Sequence, residues 1–343
     1  ANKILTHLGA APAAFEEKSE HLSGIQGISA NIREMINSNI NWSEVDREVD
    51  FIENNHIHHV SILDKEYPQK LLKIDTPPPV LFYRGSILGL NQSPCISIVA
   101  TRMPTAYGVR AVQEIVEALV GSGVAIISGL AHGIDITAHK NCLSKNLTTY
   151  GIVGHGLKTL YPSRHRLYAQ QMIEEGGGII SEFFSQELPN RENFPKRNRI
   201  IAGLSSSTLV IEASTKSGTL ITADLALSYN RKVFVVPGRY NDPYSEGCNY
   251  LLSKAKVKPV LSIQSLMDDL GLKTPKVSES KPLPPLEKEE FLLVQLLTEL
   301  NKMSLDDVAT KSNLNISQCS SLLLSLEMKG LVRSLPGKSY ELA

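Results

Sequence analysis

Lys196, Arg197 and Arg199 stand within four residues of one another, directly after Phe194 and Pro195, in the run Phe194-Pro195-Lys196-Arg197-Asn198-Arg199. They cannot all be buried, because desolvating unpaired charge costs on the order of several kcal/mol per group. Cations beside an aromatic fit a phosphate chain with a base stacked next to it. A solvated basic loop is the competing explanation. Related chemistry recurs along the chain at Thr101-Arg102, Ser128-Gly129-Leu130-Ala131-His132-Gly133, Gly154-His155-Gly156 and Ser214-Thr215-Lys216-Ser217-Gly218-Thr219. Glycines let backbone amides approach an anion, and a helix N-terminus adds partial positive charge. The hydroxyls of Ser217, Thr219 and Thr222 add donors. Arg102, Arg164 and Arg166 fall in segments expected to reach the same edge as the Lys196–Arg199 loop.

No catalytic constellation accompanies these groups. A dinucleotide site needs GxGxxG after its first strand, whereas Ala100-Thr101-Arg102-Met103-Pro104-Thr105 follows the first strand here. There is no GxxxxGK[ST] run, and His132, His139 and His155 have neither metal-ligand spacing nor a serine elbow. His139 reads as a packing or surface histidine, Asp135 as a helix-capping carboxylate. Glu212 closes a strand without an identifiable partner acid. The expectation is a binding protein with no metal and no cofactor.

The elements that must position these residues are legible in the apolar pattern. Ile96–Ala100, Val124–Ser128, Thr149–Val153, Ile179–Glu182, Thr208–Glu212 and Val233–Pro237 are short, continuous apolar runs alternating with helical segments. That order predicts an α/β, Rossmann-like doubly wound parallel sheet, whose ligands bind beyond the strand carboxyl ends. The predicted organisation is a small N-terminal helical domain over 1–50, an extended Rossmann-like domain over 51–270, a Pro-rich linker over 271–288 and a winged helix over 289–343. In the first, Gly24 and Gly27 lie between apolar residues, in the manner of a helix-hairpin-helix or SAM-like domain, whole or truncated. In the last, Ser317, Gln318 and Ser321 lie on the polar face of the third helix, which has one lysine, Lys329, and no arginine.

Composition sets limits. Lys+Arg and Asp+Glu are both 35 in 343 residues, so an anion-binding surface must come from local clustering. Cys95, Cys142, Cys248 and Cys319 form no CxxC pair and read as free thiols of a reducing compartment. No secretory signal or spanning apolar stretch is apparent, so the expected location is cytoplasmic, with no membrane partner. Ala1 in place of Met suggests a trimmed N-terminus.

The motifs resemble, in order, those of the DNA-processing protein A (DprA, or Smf) family. They are Ser97-Ile-Val-Ala-Thr-Arg102, Ser128-Gly-Leu-Ala-His-Gly-Ile-Asp135 with Ala138-His139, Gly154-His-Gly-Leu157 through Tyr161-Pro162, and Ser181-Glu182. Phe194–Gly203, Ser217-Gly-Thr-Leu-Ile-Thr222, Val236-Pro-Gly238 and Gly247-Cys-Asn249 complete the set. The resemblance implies a non-enzymatic mediator of natural transformation that binds incoming single-stranded DNA, dimerises through its Rossmann domain and helps load RecA. It implies that Arg102 and the Lys196, Arg197 and Arg199 loop line the DNA pocket, that Phe194 lies near a base, and that Gly129, Gly133, Ser217, Gly218 and Thr219 shape phosphate-facing turns. Two positions depart from the pattern. Ala100 stands where the family usually has Gly, and Ser163 where a basic residue often follows Tyr-Pro, with Arg164 available instead.

Two other readings compete. A nucleoside-monophosphate phosphoribohydrolase would use a similar sheet, but its PGGxGTxxE run is absent from Ser214–Thr222. A winged-helix transcription regulator with a ligand-sensing core would prefer a specific duplex.

Overall fold

The structure, a computed structural model, describes residue 25 and residues 41–272, 286–300 and 302–342. The Gly24–Gly27 turn and most of the Pro-rich linker lie outside the described residues. The chain divides into two compact units, residues 1–275 and 276–343.

In the first unit, α1 (Trp42–Asn54) and β1 (His58–Ser61) precede β2 (Val80–Gly85) and the short α2 (Gly89–Gln92). Strands and helices then alternate: β3 (Cys95–Val99), α3 (Ala106–Leu119), β4 (Ala125–Ser128), α4 (Ile134–Ser144), β5 (Thr149–Ile152) and α5 (Arg166–Glu174). The alternation continues through β6 (Gly178–Ser181), α6 (Asn193–Leu204), β7 (Ser207–Val210), α7 (Gly218–Ser228) and β8 (Lys232–Val235). α8 (Glu246–Leu252), β9 (Val257–Pro259) and α9 (Ile263–Leu270) follow.

One nine-stranded sheet results, in the order β1-β2-β6-β5-β4-β3-β7-β8-β9. β1 and β2 run antiparallel at one edge, and the seven strands from β6 to β9 are parallel. The doubly wound parallel sheet predicted above is present, extended by an antiparallel pair at one end and by β9 at the other.

Period-two alternation divides the core. Cys95 and Val99 pack with Ile200, Ile201 and Leu204 of α6 and with Ala223 and Ala226 of α7. Ile96 and Ile98 pack on the opposite face with Val112, Ile115, Val116 and Leu119, the i, i+3, i+4, i+7 stripe of α3. Each fully buried Ile or Leu contributes about 1.5–3 kcal/mol, so this double cover holds the strand ends firmly in register. Ser97 and Thr208, polar in the two central strands, satisfy each other at 2.8 Å.

The chain runs outward from β3 through β4, β5 and β6, then crosses back to place β7 on the other side of β3. Loops after β3 and β7 therefore diverge at their carboxyl ends and open a crevice.

The second unit contains α10 (Lys288–Leu300), β10 (Lys302–Ser304), α11 (Leu305–Ser312), α12 (Ile316–Met328), β11 (Val332–Leu335) and β12 (Ser339–Leu342). Its sheet order is β10-β12-β11, all antiparallel. Leu293, Leu297, Val308, Cys319, Leu323, Leu326 and Val332 form its core. This is the expected winged helix, with β10 as a third strand that the pattern did not reveal. Ser317, Gln318 and Ser321 are exposed, as a polar face requires, and Gln318 closes a capping box with Asn315. Lys329 is bound by the buried carboxylate of Glu290, with Nζ 2.6 Å from each oxygen.

Candidate nucleic-acid interface

A cavity of about 540 Å³ occupies the crevice. Its walls include Thr101 and Arg102 after β3, Ala131 and Asp135 after β4, Phe194, Arg197 and Asn198 on α6, and Ser217, Gly218 and Thr219 at the start of α7. Arg191, exposed just before α6, also borders it. A smaller pocket beside it shares Arg102, Phe194 and Arg197 and adds His132, His155 and Tyr161.

The basic run is not a loop, as the sequence reading expected. It forms the first turns of α6, where Pro195 is tolerated because its missing N–H has no intrahelical partner to lose. The helical register then separates the cations. Arg197, Ile200, Ile201 and Leu204 lie at i, i+3, i+4 and i+7, so Arg197 falls on the buried stripe and is 5 % exposed. Its Nη1 donates to the carbonyls of Gly129, at 2.8 Å, and Ile152, and its Nε donates to Asn198 at 3.2 Å. Arg199 is paired with Glu182 at the end of β6. Lys196 alone of the three is exposed. The three cations are therefore not equivalent: Arg197 and Arg199 are bonded to the protein, whereas Lys196 faces solvent.

Arg197 explains Gly129. A Cβ at Gly129 would lie 2.6 Å from Asp135 Oδ2 and 2.8 Å from both terminal nitrogens of Arg197. The expected helix-capping carboxylate of Asp135 is buried; it accepts from the Ala131 N–H at 3.3 Å and serves as the internal counter-charge. Burial pushes its carboxyl up and Arg197 down to about 10, and each charge opposes the other's shift. Gly133 is required by its left-handed φ of +79° and by close approach, since a Cβ would meet the Arg102 carbonyl carbon at 2.6 Å. Gly133 lets the β3 and β4 loops meet, and Gly129 makes room for Asp135 and Arg197; neither is an open cradle. Gly218 differs, with nothing within 4 Å of a Cβ there. Ser217 caps α7 by accepting from the Thr219 N–H at 3.2 Å, leaving the bare Gly218 backbone at the helix N-terminus beside the cavity.

Arg102 is exposed, and its guanidinium carbon lies 5.3 Å from the Phe194 ring centre. Phe194 faces Tyr161 at 6.4 Å between ring centres. Cation, ring and ring thus form one rim. The carboxylates that could have neutralised Arg102 are engaged elsewhere: Glu182 with Arg199, and the buried Glu212 with the backbone and hydroxyl of Thr105. Gly108 exists to make room for Glu212, because a Cβ there would lie 2.6 Å from its carboxyl carbon.

Arg164 is exposed at the start of the turn before α5, and its charge reaches His132. Burial, then Arg164 and Arg102, hold His132 below the usual histidine range. His155 and His165 are likewise lowered by burial. His155 is bonded to Gly156 O and to the Tyr161 backbone. His139 is buried, as a packing histidine would be. Among the described residues no group of His, Cys, Asp or Glu has the geometry to hold a metal ion. No described helix is long and apolar enough to cross a membrane.

The sequence reading passed over Arg191, Tyr161 and Asn198 as contributors to this surface. Arg191 stands three residues before Phe194, within the reach of the same helix start, which is the signal that could have found it.

The chain is similar to several known proteins. The model of the DNA recombination-mediator protein A family matches residues 58–271, and that of the DprA winged helix domain matches 266–338. Protein Smf of Synechocystis is 38% identical over 314 residues, covering 81% of this chain and 78% of that protein. Protein Smf of Escherichia coli is 36% identical over 287 residues, covering 82% and 76%. The crystal structure of DNA processing protein A from Streptococcus pneumoniae superposes with a TM-score of 0.66 at 30% identity, covering 78% of this chain and 92% of that one. The Helicobacter pylori protein, solved for its single-stranded DNA binding mode, gives 0.56 at 30% identity, covering 63% and 96%.

Proposed function

The chain belongs to the DNA recombination-mediator protein A family, and on that premise we propose that it binds single-stranded DNA at the crevice between β3 and β7. The observation that carries this reading is the rim formed by Arg102 on Phe194, a stacking surface beside a guanidinium that has no ion pair among the described residues. A base can stack on the ring side of the rim, and the adjacent phosphate can meet Arg102, Lys196 or Arg191. The amides at the start of α7 offer a further anion contact.

Single strands are favoured because stacking on a side chain requires an unpaired base. Phosphate contacts are blind to sequence, so binding is general and salt-dependent. Arg197, Arg199, Gly129 and Gly133 act as positioning residues, while Arg102, Arg164, Lys196, Phe194, Ser217, Gly218 and Thr219 meet the strand. In keeping with the family, the protein is a non-enzymatic mediator that acts as a homodimer, protects incoming strands in natural transformation and delivers them to RecA. Two pockets in a dimer raise the effective affinity for one strand. Glu212 and Glu182 are each held by protein partners, which argues against the nucleotide-hydrolase alternative.

The test is binding of labelled poly-dT and of an equal-length duplex across a salt series, with release of free base from nucleoside monophosphates assayed alongside. Preference for the single strand with a steep salt slope is expected. Equal affinity for both forms, or turnover of the nucleotides, would overturn the reading.

A further inference from the structure

Tyr240 is 90 % exposed at the tip of the turn that follows β8, next to the exposed Arg239. An aromatic presented so fully to water is ordinarily mobile, yet this turn is fixed at both ends. Tyr107 Oη donates to Pro237 O at 2.8 Å, and Asn249 Nδ2 donates to Gly238 O and Arg239 O, each at 3.3 Å. Within the turn, Asp242 N–H donates to Arg239 O at 3.2 Å, and Asp242 Oδ1 accepts from Tyr244 N–H at 2.9 Å. The side chain of Asp242 is therefore turned onto the turn's own backbone.

The turn is also tied to the cavity's wall. Ala213 N–H donates to Tyr244 O at 2.9 Å and Gly247 N–H to Ala213 O at 2.8 Å, joining it to the segment that runs on to Ser217 and Gly218. β8 lies beside β7, and β7 beside β3, all parallel. The turn after β8 thus leaves the same sheet edge as Arg102, two strand spacings or about 10 Å away. Exposed Lys216 lies on the intervening loop, and among the described residues neither Lys216 nor Arg239 is in an ion pair.

We infer that Tyr240 and Arg239 form a second subsite for the single strand, continuing its path from the Arg102–Phe194 rim past Lys216 and across β8. Tyr240 supplies a stacking platform and Arg239 a phosphate contact. The inference rests on the strand-binding reading above and extends it beyond the cavity.

The full-length protein is tested with oligothymidines of about five and about twenty nucleotides, one near the lower end of the length a single small binding fold covers and one beyond it. Tyr240→Ala is expected to weaken the longer strand about tenfold and leave the shorter unchanged, with Tyr240→Phe restoring it. Arg239→Ala is expected to reduce the salt slope for the longer strand by about 0.7. Unchanged affinity for the longer strand, or equal loss at both lengths, would overturn the subsite. A change in oligomeric mass with DNA affinity intact would overturn it too, marking the turn as a protein contact. Failure of the unaltered protein to bind either length would overturn both this inference and the reading beneath it.

Discussion

Arg102 and Phe194 come from segments 92 positions apart and meet with the guanidinium carbon 5.3 Å from the ring centre. One arrives on the loop after β3, the other on the first turn of α6. Phe194→Ala is expected to weaken single-strand binding by about 1–3 kcal/mol regardless of sequence. Arg102→Ala is expected to flatten the salt slope by about 0.7. Fluorescence anisotropy over a salt series with two unrelated sequences checks both, and a sequence-dependent loss would contradict them.

Lys196 and Arg197 are neighbours with opposite predictions. Arg197→Ala removes the donor to two carbonyls and leaves Asp135 buried without its counter-charge, so unfolding free energy should fall by about 3–5 kcal/mol. Lys196→Ala, at an exposed position, should change stability by less than about 0.5 kcal/mol yet weaken DNA binding. Urea melts beside binding isotherms separate the two, and equal stability of both variants would refute the internal role of Arg197.

The glycines divide similarly. Gly133→Ala forces a left-handed φ and a clash with Arg102, a cost on the order of 1–3 kcal/mol in thermal or chemical melts. Gly218→Ala has open space in a helical position, so it should gain up to about 1 kcal/mol in stability. If a phosphate approaches the bare backbone there, the same variant loses affinity while gaining stability. Unaltered affinity would exclude that approach.

His139 gives the sheet an acid limit. Thr149 Oγ1 donates to Ile126 O at 3.0 Å, so His139 Nδ1 must donate to Thr149, at 2.7 Å, and among the described residues Nε2 has no partner in the core. Burial lowers its pKa from 6.5 to about 3. The unfolded chain therefore takes up the proton first; this contribution is complete above pH 6.5 and is lost as pH falls from 6.5 towards 3. The slope approaches about 1.4 kcal/mol per pH unit in that window. His139→Asn should flatten it in melts taken between about pH 7 and about pH 4.

Most of the first unit could be read from the chain because buried parallel strands are continuous apolar runs, as Ile96–Val99 and Ile179–Ser181 are. β9 escaped because Val257-Lys258-Pro259 has no such run, and β1 because His58 and His59 carry the polar side chains of an exposed edge. At the site, residue types were legible and their partners were not. The charge run at 196–199 reads as one solvated patch until helical spacing is applied to it. Counted from Ile200, Ile201 and Leu204, position 197 falls inside. What no local pattern could supply was the identity of the groups that receive Arg197, since they come from β4 and β5.

Those distant receivers have a temporal consequence. Gly129 and Ile152 precede Arg197 by 68 and 45 positions. A chain emerging from the ribosome makes β4 and β5 well before α6 can lock their ends. The loops after β4 and β5, which carry His132 and His155, therefore lack their shared anchor until residue 197 has been synthesised and docked. A nascent or truncated chain would display the same charges with no surface to arrange them, so it would not capture DNA before its sheet is complete.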